Sequence, residues 1–149
     1  MSGSNTNIGE EIVTKILDNG LATDEDIKGC SQRVVSSIEQ ECDVELPEAY
    51  RSYLRHIGKS SGEFLCGYTC HYPQIIQEQA KAERIFQRED TAAELDNYKF
   101  VFAGSQGVTF FYFDVRDPDP PMYVIAEGHG DSDKVTDSFS EWLLETLAQ

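Results

Sequence analysis

The chain has 149 residues, 40% of them hydrophobic and 11% aromatic, which is enough apolar material for one globular domain with a real core. Its formal net charge is −15, from 12 Lys and Arg against 27 Asp and Glu. That sign argues against a nucleic-acid or anionic-lipid partner, since both need a basic footprint, and no segment approaches the roughly 18 consecutive apolar residues of a membrane span.

The charge is unevenly spread. Residues 1–50 carry 11 acids and 3 bases, residues 51–100 carry 7 and 7, and residues 101–149 carry 9 and 2. The negative field belongs to the two ends of the chain and fits a basic protein partner; the plainer alternative is that it serves solubility. The opening MSGSNTN is small and polar, without the basic start and apolar run of an export signal. A frayed tail over about residues 1–7 of a single cytoplasmic domain spanning 1–149 is expected.

Ile8, Ile12, Ile16 and Leu17 repeat at helical spacing and stop at Gly20. A second helix begins within Thr23 to Ser31, where Thr23 with Asp26 offers one start signal and Ser31 another, and it buries Val34, Val35, Ile38 and Cys42. In the next stretch, ELPEAYRSYLRHIG, the residue before a proline is pushed out of the α region while the proline itself suits a first helical turn. Pro47 therefore opens a third helix, with Tyr50, Tyr53, Leu54 and Ile57 on one face and Gly58 as its stop. The first third of the chain reads as helical.

After Gly58 the pattern changes. Phe64, Cys66, Tyr68 and Cys70 alternate as in a strand that ends at Pro73. Gln74 to about Glu94 is a polar helix with one apolar stripe. Tyr98–Ala103 and Val108–Asp114 form an antiparallel hairpin about Gly104-Ser-Gln-Gly107, and aromatics on both faces of the second strand make it central and covered on both sides. Arg116 to Pro121, RDPDPP, cannot enter a ladder because three of its six residues lack an N–H donor. Met122–Glu127 pairs with the preceding strand, and Ser138-Phe-Ser-Glu141 is a capping box for a last helix bearing Phe139, Trp142, Leu143 and Leu147. The fold class is α+β: a mainly antiparallel sheet flanked by N-terminal helices, one mid-chain helix and a C-terminal helix.

Few groups converge on catalysis. Cys30, Cys42, Cys66 and Cys70 read as reduced thiols, and Cys66-x3-Cys70-His71 has no second ligand pair, so no metal and no cofactor is expected. On a regular strand Cys70 and His71 would point to opposite faces, which excludes them as a direct nucleophile–base pair. His56 sits in the last turn of the Pro47 helix, where an imidazolium meets the dipole favourably. His129, between Gly128 and Gly130, is a candidate general base for a small hydrolase, although a lone loop histidine is more simply a solvated turn residue. Gly104-x-x-Gly107 lacks the spacing and lysine of a phosphate loop, and the acid pairs Asp117/Asp119 and Asp131/Asp133 do not continue into a calcium loop.

The order of features resembles the SUKH superfamily, the family of SMI/KNR-type domains. Ser37-Ile38-Glu39, Leu46-Pro47-Glu48-Ala49-Tyr50, Tyr53-Leu54 and Gly58 follow its N-terminal signature. The aromatic run Gly104 to Phe113 and the terminal Ser138-Phe139-Ser140-Glu141-Trp142-Leu143 are similar to its later features, so the resemblance runs from about Ser31 to Leu147. It implies no catalytic set. It implies an immunity protein that binds and neutralises a cognate toxin, often a nuclease and therefore basic where it holds phosphates; the alternative is a non-enzymatic regulatory scaffold that binds a cellular protein. The contact acids are expected on the loops around Asp114, Asp117, Asp119, Glu127, Asp131 and Asp133.

Overall fold

In a computed structural model of the protein, residues 7–65, 68–88, 98–106, 108–126 and 133–148 are described. Among them are the helices α1 (Ile8–Asp18), α2 (Gln32–Cys42), α3 (Glu48–Ile57), α4 (Gln74–Arg88) and α5 (Phe139–Ala148). The strands are β1 (Ile27–Lys28), β2 (Ser60–Ser61), β3 (Lys99–Ser105), β4 (Thr109–Asp114), β5 (Met122–Ala126) and β6 (Asp133–Thr136). None of the described helices is long and apolar enough to cross a membrane. The expected tail, up to residue 6, lies outside the described residues.

The starts of α2, α3 and α5 have local causes. Ser31 caps α2, its hydroxyl oxygen accepting the Val34 N–H at 3.2 Å, while the rival signal folds a separate turn in which Asp26 takes the Thr23 N–H and hydroxyl. Pro47 is the N-cap of α3, and the α3 face that its spacing predicts is fully buried: Tyr50, Leu54 and Ile57 have no exposed surface and Tyr53 has 2%. Ser138 Oγ accepts the Glu141 N–H at 3.0 Å at the start of α5. Glu141 returns to the Asp137 N–H rather than to Ser138, a capping box displaced by one residue.

The helix α1 lies against α3 at very short range. The Gly9 N–H donates to Ser52 Oγ at 2.9 Å, and a Cβ at Gly9 would collide with the Ser52 carbonyl oxygen, so only glycine permits this approach. Ile8, Ile12 and Ile16 are thereby completely buried.

Strands β3-β4-β5-β6 form an antiparallel meander in that order, so β4 is internal as its aromatics predict. Phe113 faces the main core, whose rings include Tyr50, Tyr53, Phe100, Phe102 and Phe139, with Trp142 and Leu143 from α5. Phe110 and Tyr112 face the other way, with Val101 and Ile125, against Ala82 of α4. The sheet is therefore covered on both sides. Gln79 of α4 also clamps the edge of β3, its amide donating to the Val101 carbonyl and accepting the Val101 N–H at 2.9 Å, which satisfies a ladder edge that would otherwise lie open.

Several expectations are corrected. Among its described residues the stretch from Phe64 to Cys70 forms no strand: Leu65 has φ 63°, the Ser61 hydroxyl closes a turn by donating to the Phe64 carbonyl at 2.7 Å, and Thr69 meets Gly104 in an isolated bridge, while Cys66 and Gly67 lie outside the described residues. Phe64, Leu65 and Cys70 are buried from a loop instead. Gly104 belongs to β3 rather than to the turn, at a point where a Cβ would strike the buried Glu78 carboxylate. The first third is not wholly helical, because β1 pairs with β2 in a two-residue ribbon too short to leave a periodic trace. The end of the mid-chain helix beyond Arg88 lies outside the described residues.

Candidate functional site

Two acidic segments meet on one side of the molecule, the α2–α3 linker and the β4–β5 loop. The linker begins at Asp43, which ends α2 in the left-handed region at φ 54°, ψ 48°. Glu39, one turn back in α2, reaches across and accepts the Leu46 N–H at 2.8 Å, and the same carboxylate oxygen lies 3.4 Å from Arg51 Nε. Leu46 is 2% exposed, so this anchor fixes the linker from beneath. Asp43, Glu45 and Glu48 are left on the outside, all exposed, with Glu45 touching Arg51 at 3.5 Å.

The β4–β5 loop is tied down by its own acids. Asp114 takes the Arg116 guanidinium at 2.6 and 2.9 Å and its N–H at 2.9 Å; these bonds, the side-chain one foremost, hold the Asp114 carboxyl below its ordinary range. The Arg116 guanidinium also lies 4.1 Å from the centre of the Tyr98 ring. Asp117 accepts the Asp119 N–H at 3.1 Å, and the Pro118 carbonyl accepts the Ala49 N–H at 3.1 Å, satisfying a donor at the start of α3. Asp119 in turn accepts the Ser140 N–H at 3.0 Å at the start of α5. Burial pushes the Asp119 carboxyl upward, and the Ser140 bond opposes that.

Between linker and loop lies a cleft of about 540 Å³ lined by Asp43, Glu45, Glu48, Asp117, Tyr98 and Arg116 among others. A groove of about 380 Å³ adjoins it on the far side of Asp43 and Val44, where Glu41 and Glu83 stand with Lys99. A third depression runs along α2 by Ser36, Gln40 and Asp43. Asp43 borders all three, so the linker is an acidic ridge between concave surfaces.

The acids expected to form the contact set separate into three groups. Asp114, Asp117 and Asp119 share one loop, but the first is ion-paired and the third caps a helix. Asp133 is exposed at the start of β6, away from that loop in the chain. Glu127 and Asp131 lie outside the described residues, as does His129. Asp43 and Glu45 of the linker and Glu48 at the first position of α3 share this side of the molecule and were not singled out by reasoning from the later loops, although the acid count of the first fifty residues points to them.

Cys70 and His71 do meet, contrary to the strand expectation, because the chain there is not extended: Cys70 Sγ is 3.9 Å from His71 Nδ1. The pair is nevertheless unsuited to nucleophilic work. Cys70 is 2% exposed, and burial pushes its thiol up to about 12, far from the thiolate. The Ser61 hydroxyl already donates to the Phe64 carbonyl, so its oxygen receives the His71 Nε2–H at 2.9 Å, and burial holds the imidazole below its ordinary pKa. His71 is a neutral pin for the loop. His56 Nδ1 lies 2.8 Å from the Ser52 carbonyl, one turn back in its own helix. Among the described residues no three His, Cys, Asp or Glu side chains converge as metal ligands.

The SMI1 / KNR4 family (SUKH-1) matches residues 29–145, which take in the Glu39 anchor, the Leu46-Pro47 helix start, the aromatic hairpin and most of α5. A comparison with curated proteins gives no significant match. The family's general role is protein binding of the toxin-immunity or SMI1 type. With more than three quarters of its length inside that match, the chain belongs to the SMI1 / KNR4 family (SUKH-1).

Proposed function

We propose that the protein is an immunity protein that binds a cognate basic toxin of the nuclease type in the cytoplasm and neutralises it stoichiometrically, without catalysis. The observation that carries this reading is the acidic ridge at Asp43 with concave surfaces on either side, in a chain of net charge −15. A nuclease must be basic where it holds phosphates, so a surface of this sign is attracted to the site it has to block. Complementary charge also raises the association rate, by about 10- to 1000-fold in steered complexes.

The contact set in this reading is the exposed Asp117 with the linker acids, and Asp133, Glu127 and Asp131 stay in it as further candidate contacts. Asp114 and Asp119 contribute to the field while their carboxylates hold the loop in shape. The test is capture of proteins encoded beside this gene by the purified chain, followed by affinity measurement across salt concentration. Tight binding that weakens steadily with salt, together with protection of cells from the captured toxin, is the expected result. Failure to bind or protect against any neighbouring toxin would refute the immunity role, and capture of a non-toxin cellular protein would move the assignment to a regulatory scaffold.

A further inference from the structure

We infer that the segment from Tyr68 to Tyr72 is an acid-released latch, held shut by the neutral side chain of His71 and opened when that side chain takes up a proton. The inference stands apart from the binding role proposed above and needs no partner.

The segment ties the helices to the sheet. Thr69 exchanges backbone hydrogen bonds with Gly104 at 2.7 and 3.0 Å and so closes part of the β3 edge. Tyr68 sets its ring edge-on against Phe111 of β4 and Trp142 of α5, with ring centres 5.6 and 5.4 Å apart. From α3 the Tyr53 hydroxyl donates to the Cys70 carbonyl at 2.8 Å, and the Gly58 carbonyl accepts the Tyr72 N–H at 2.8 Å. His71 supplies the remaining tie, to Ser61 of β2.

The hydrogen-bond polarity around His71 suits only the neutral ring. The Ser61 hydroxyl proton is committed to the Phe64 carbonyl, so Nε2 carries the hydrogen that Ser61 Oγ accepts. Nδ1 is then an acceptor, and the group before it is Cys70 Sγ at 3.9 Å. A second proton would place an N–H there. Cys70 is 2% exposed and its thiol stays protonated, so it offers that N–H a weak acceptor and no countercharge. No other element supplies one: Tyr53 of α3 is spent on the Cys70 carbonyl, and α4 gives only the Ile75 N–H, to the His71 carbonyl. Lys28 of β1 and Lys59 and Glu63 beside β2 make no hydrogen bond or ion pair with the ring. Burial therefore governs its basicity, and it disfavours the imidazolium.

Opening the segment to water removes that penalty, which couples protonation to opening. Above the ring's ordinary 6.5 both forms are neutral and the latch is firmest; as pH falls below 6.5 the open form gains the proton first, until the lowered value of the closed form is reached. Between pH 7 and pH 5 the opening constant rises by up to about 25-fold.

The test is amide hydrogen exchange of the isotope-labelled full chain by NMR at pH 7 and pH 5, corrected for the intrinsic pH dependence of exchange, beside His71→Gln. Glutamine keeps an N–H for Ser61 and takes no charge. Protection at Thr69, Tyr72 and Gly104 is expected to fall by about five- to 25-fold in the parent and to stay level in His71→Gln, while Val101, held by Gln79, stays level in both. The parent's ring-nitrogen shifts are expected to place the hydrogen on Nε2 at pH 7.5 and to titrate below 6.5. A smaller fall in the parent, an equal fall in His71→Gln or at Val101, or a ring titrating at 6.5 or above would overturn the inference. The parent's exchange and ring titration decide it even where His71→Gln fails to fold.

Discussion

The two acidic segments that border the cleft use their carboxylates in opposite ways. In the β4–β5 loop, Asp114 and Asp119 are spent on the loop's own architecture, one gripping Arg116 and the other capping α5. In the α2–α3 linker that work is done by Glu39 from below, so Asp43, Glu45 and Glu48 remain exposed. Equal acidity in the sequence is therefore unequal availability on the surface. What decides it is whether a donor within reach, the Arg116 guanidinium for Asp114 and the Ser140 N–H for Asp119, takes up the carboxylate.

The comparison breaks most severely at Glu39. Glu39→Ala removes the acceptor of the Leu46 N–H and one of the two carboxylates beside Arg51 together, and a loss of about 2 kcal/mol in urea unfolding is expected, with Glu39→Gln recovering part of it. If Glu39→Ala unfolds at the parent's urea midpoint, the linker is not held in the way described.

A smaller effect is expected at Asp119. Asp119→Ala deletes the acceptor at the start of α5 and should cost about 1 kcal/mol. Asp119→Asn keeps an oxygen in place and adds a pH signature. Burial raises this carboxyl above its ordinary 3.8, so its contribution is most favourable below pH 3.8 and is lost as pH rises through the folded value. At pH 7 the amide should match or slightly exceed the acid in stability, and that relation should reverse or vanish below pH 3.8. Stability curves for the two chains from pH 3 to pH 7 test the sign.

The smallest effects sharpen the contrast. Glu45→Gln and Glu48→Gln concern exposed groups and should each change stability by less than about 0.5 kcal/mol. Were either to destabilise the protein as much as Asp119→Ala, the linker acids would have a structural duty and the distinction between the segments would fail.

These residues also show how far the sequence could be read. Phe110 to Phe113 announced a doubly covered central strand because both faces of β4 are buried, and burial on both faces leaves a continuous apolar run in place of an alternation. The alternation at Phe64 to Cys70 misled, since a turn buries the neighbours Phe64 and Leu65 together, and the left-handed Leu65 carries no sequence mark. The helix starts at Ser31, Pro47 and Ser138 were legible because caps act over three or four residues. The site was less so. Asp119 serves Ser140, 21 residues on, and the Pro118 carbonyl serves Ala49 on another helix, so no local pattern could separate engaged acids from available ones.

The close seating of α1 on α3 bears on where this protein can be cut. The family match starts at residue 29, yet Ile8, Ile12 and Ile16 belong to the same buried cluster as Tyr50 and Trp142, joined through the Gly9–Ser52 contact. Burial of three isoleucines at about 1.5–3 kcal/mol each is comparable to the whole stability of many domains. A fragment trimmed to the matched span would bare an apolar trench along α3, with aggregation as the consequence. The unit that folds extends beyond the unit that the family pattern recognises.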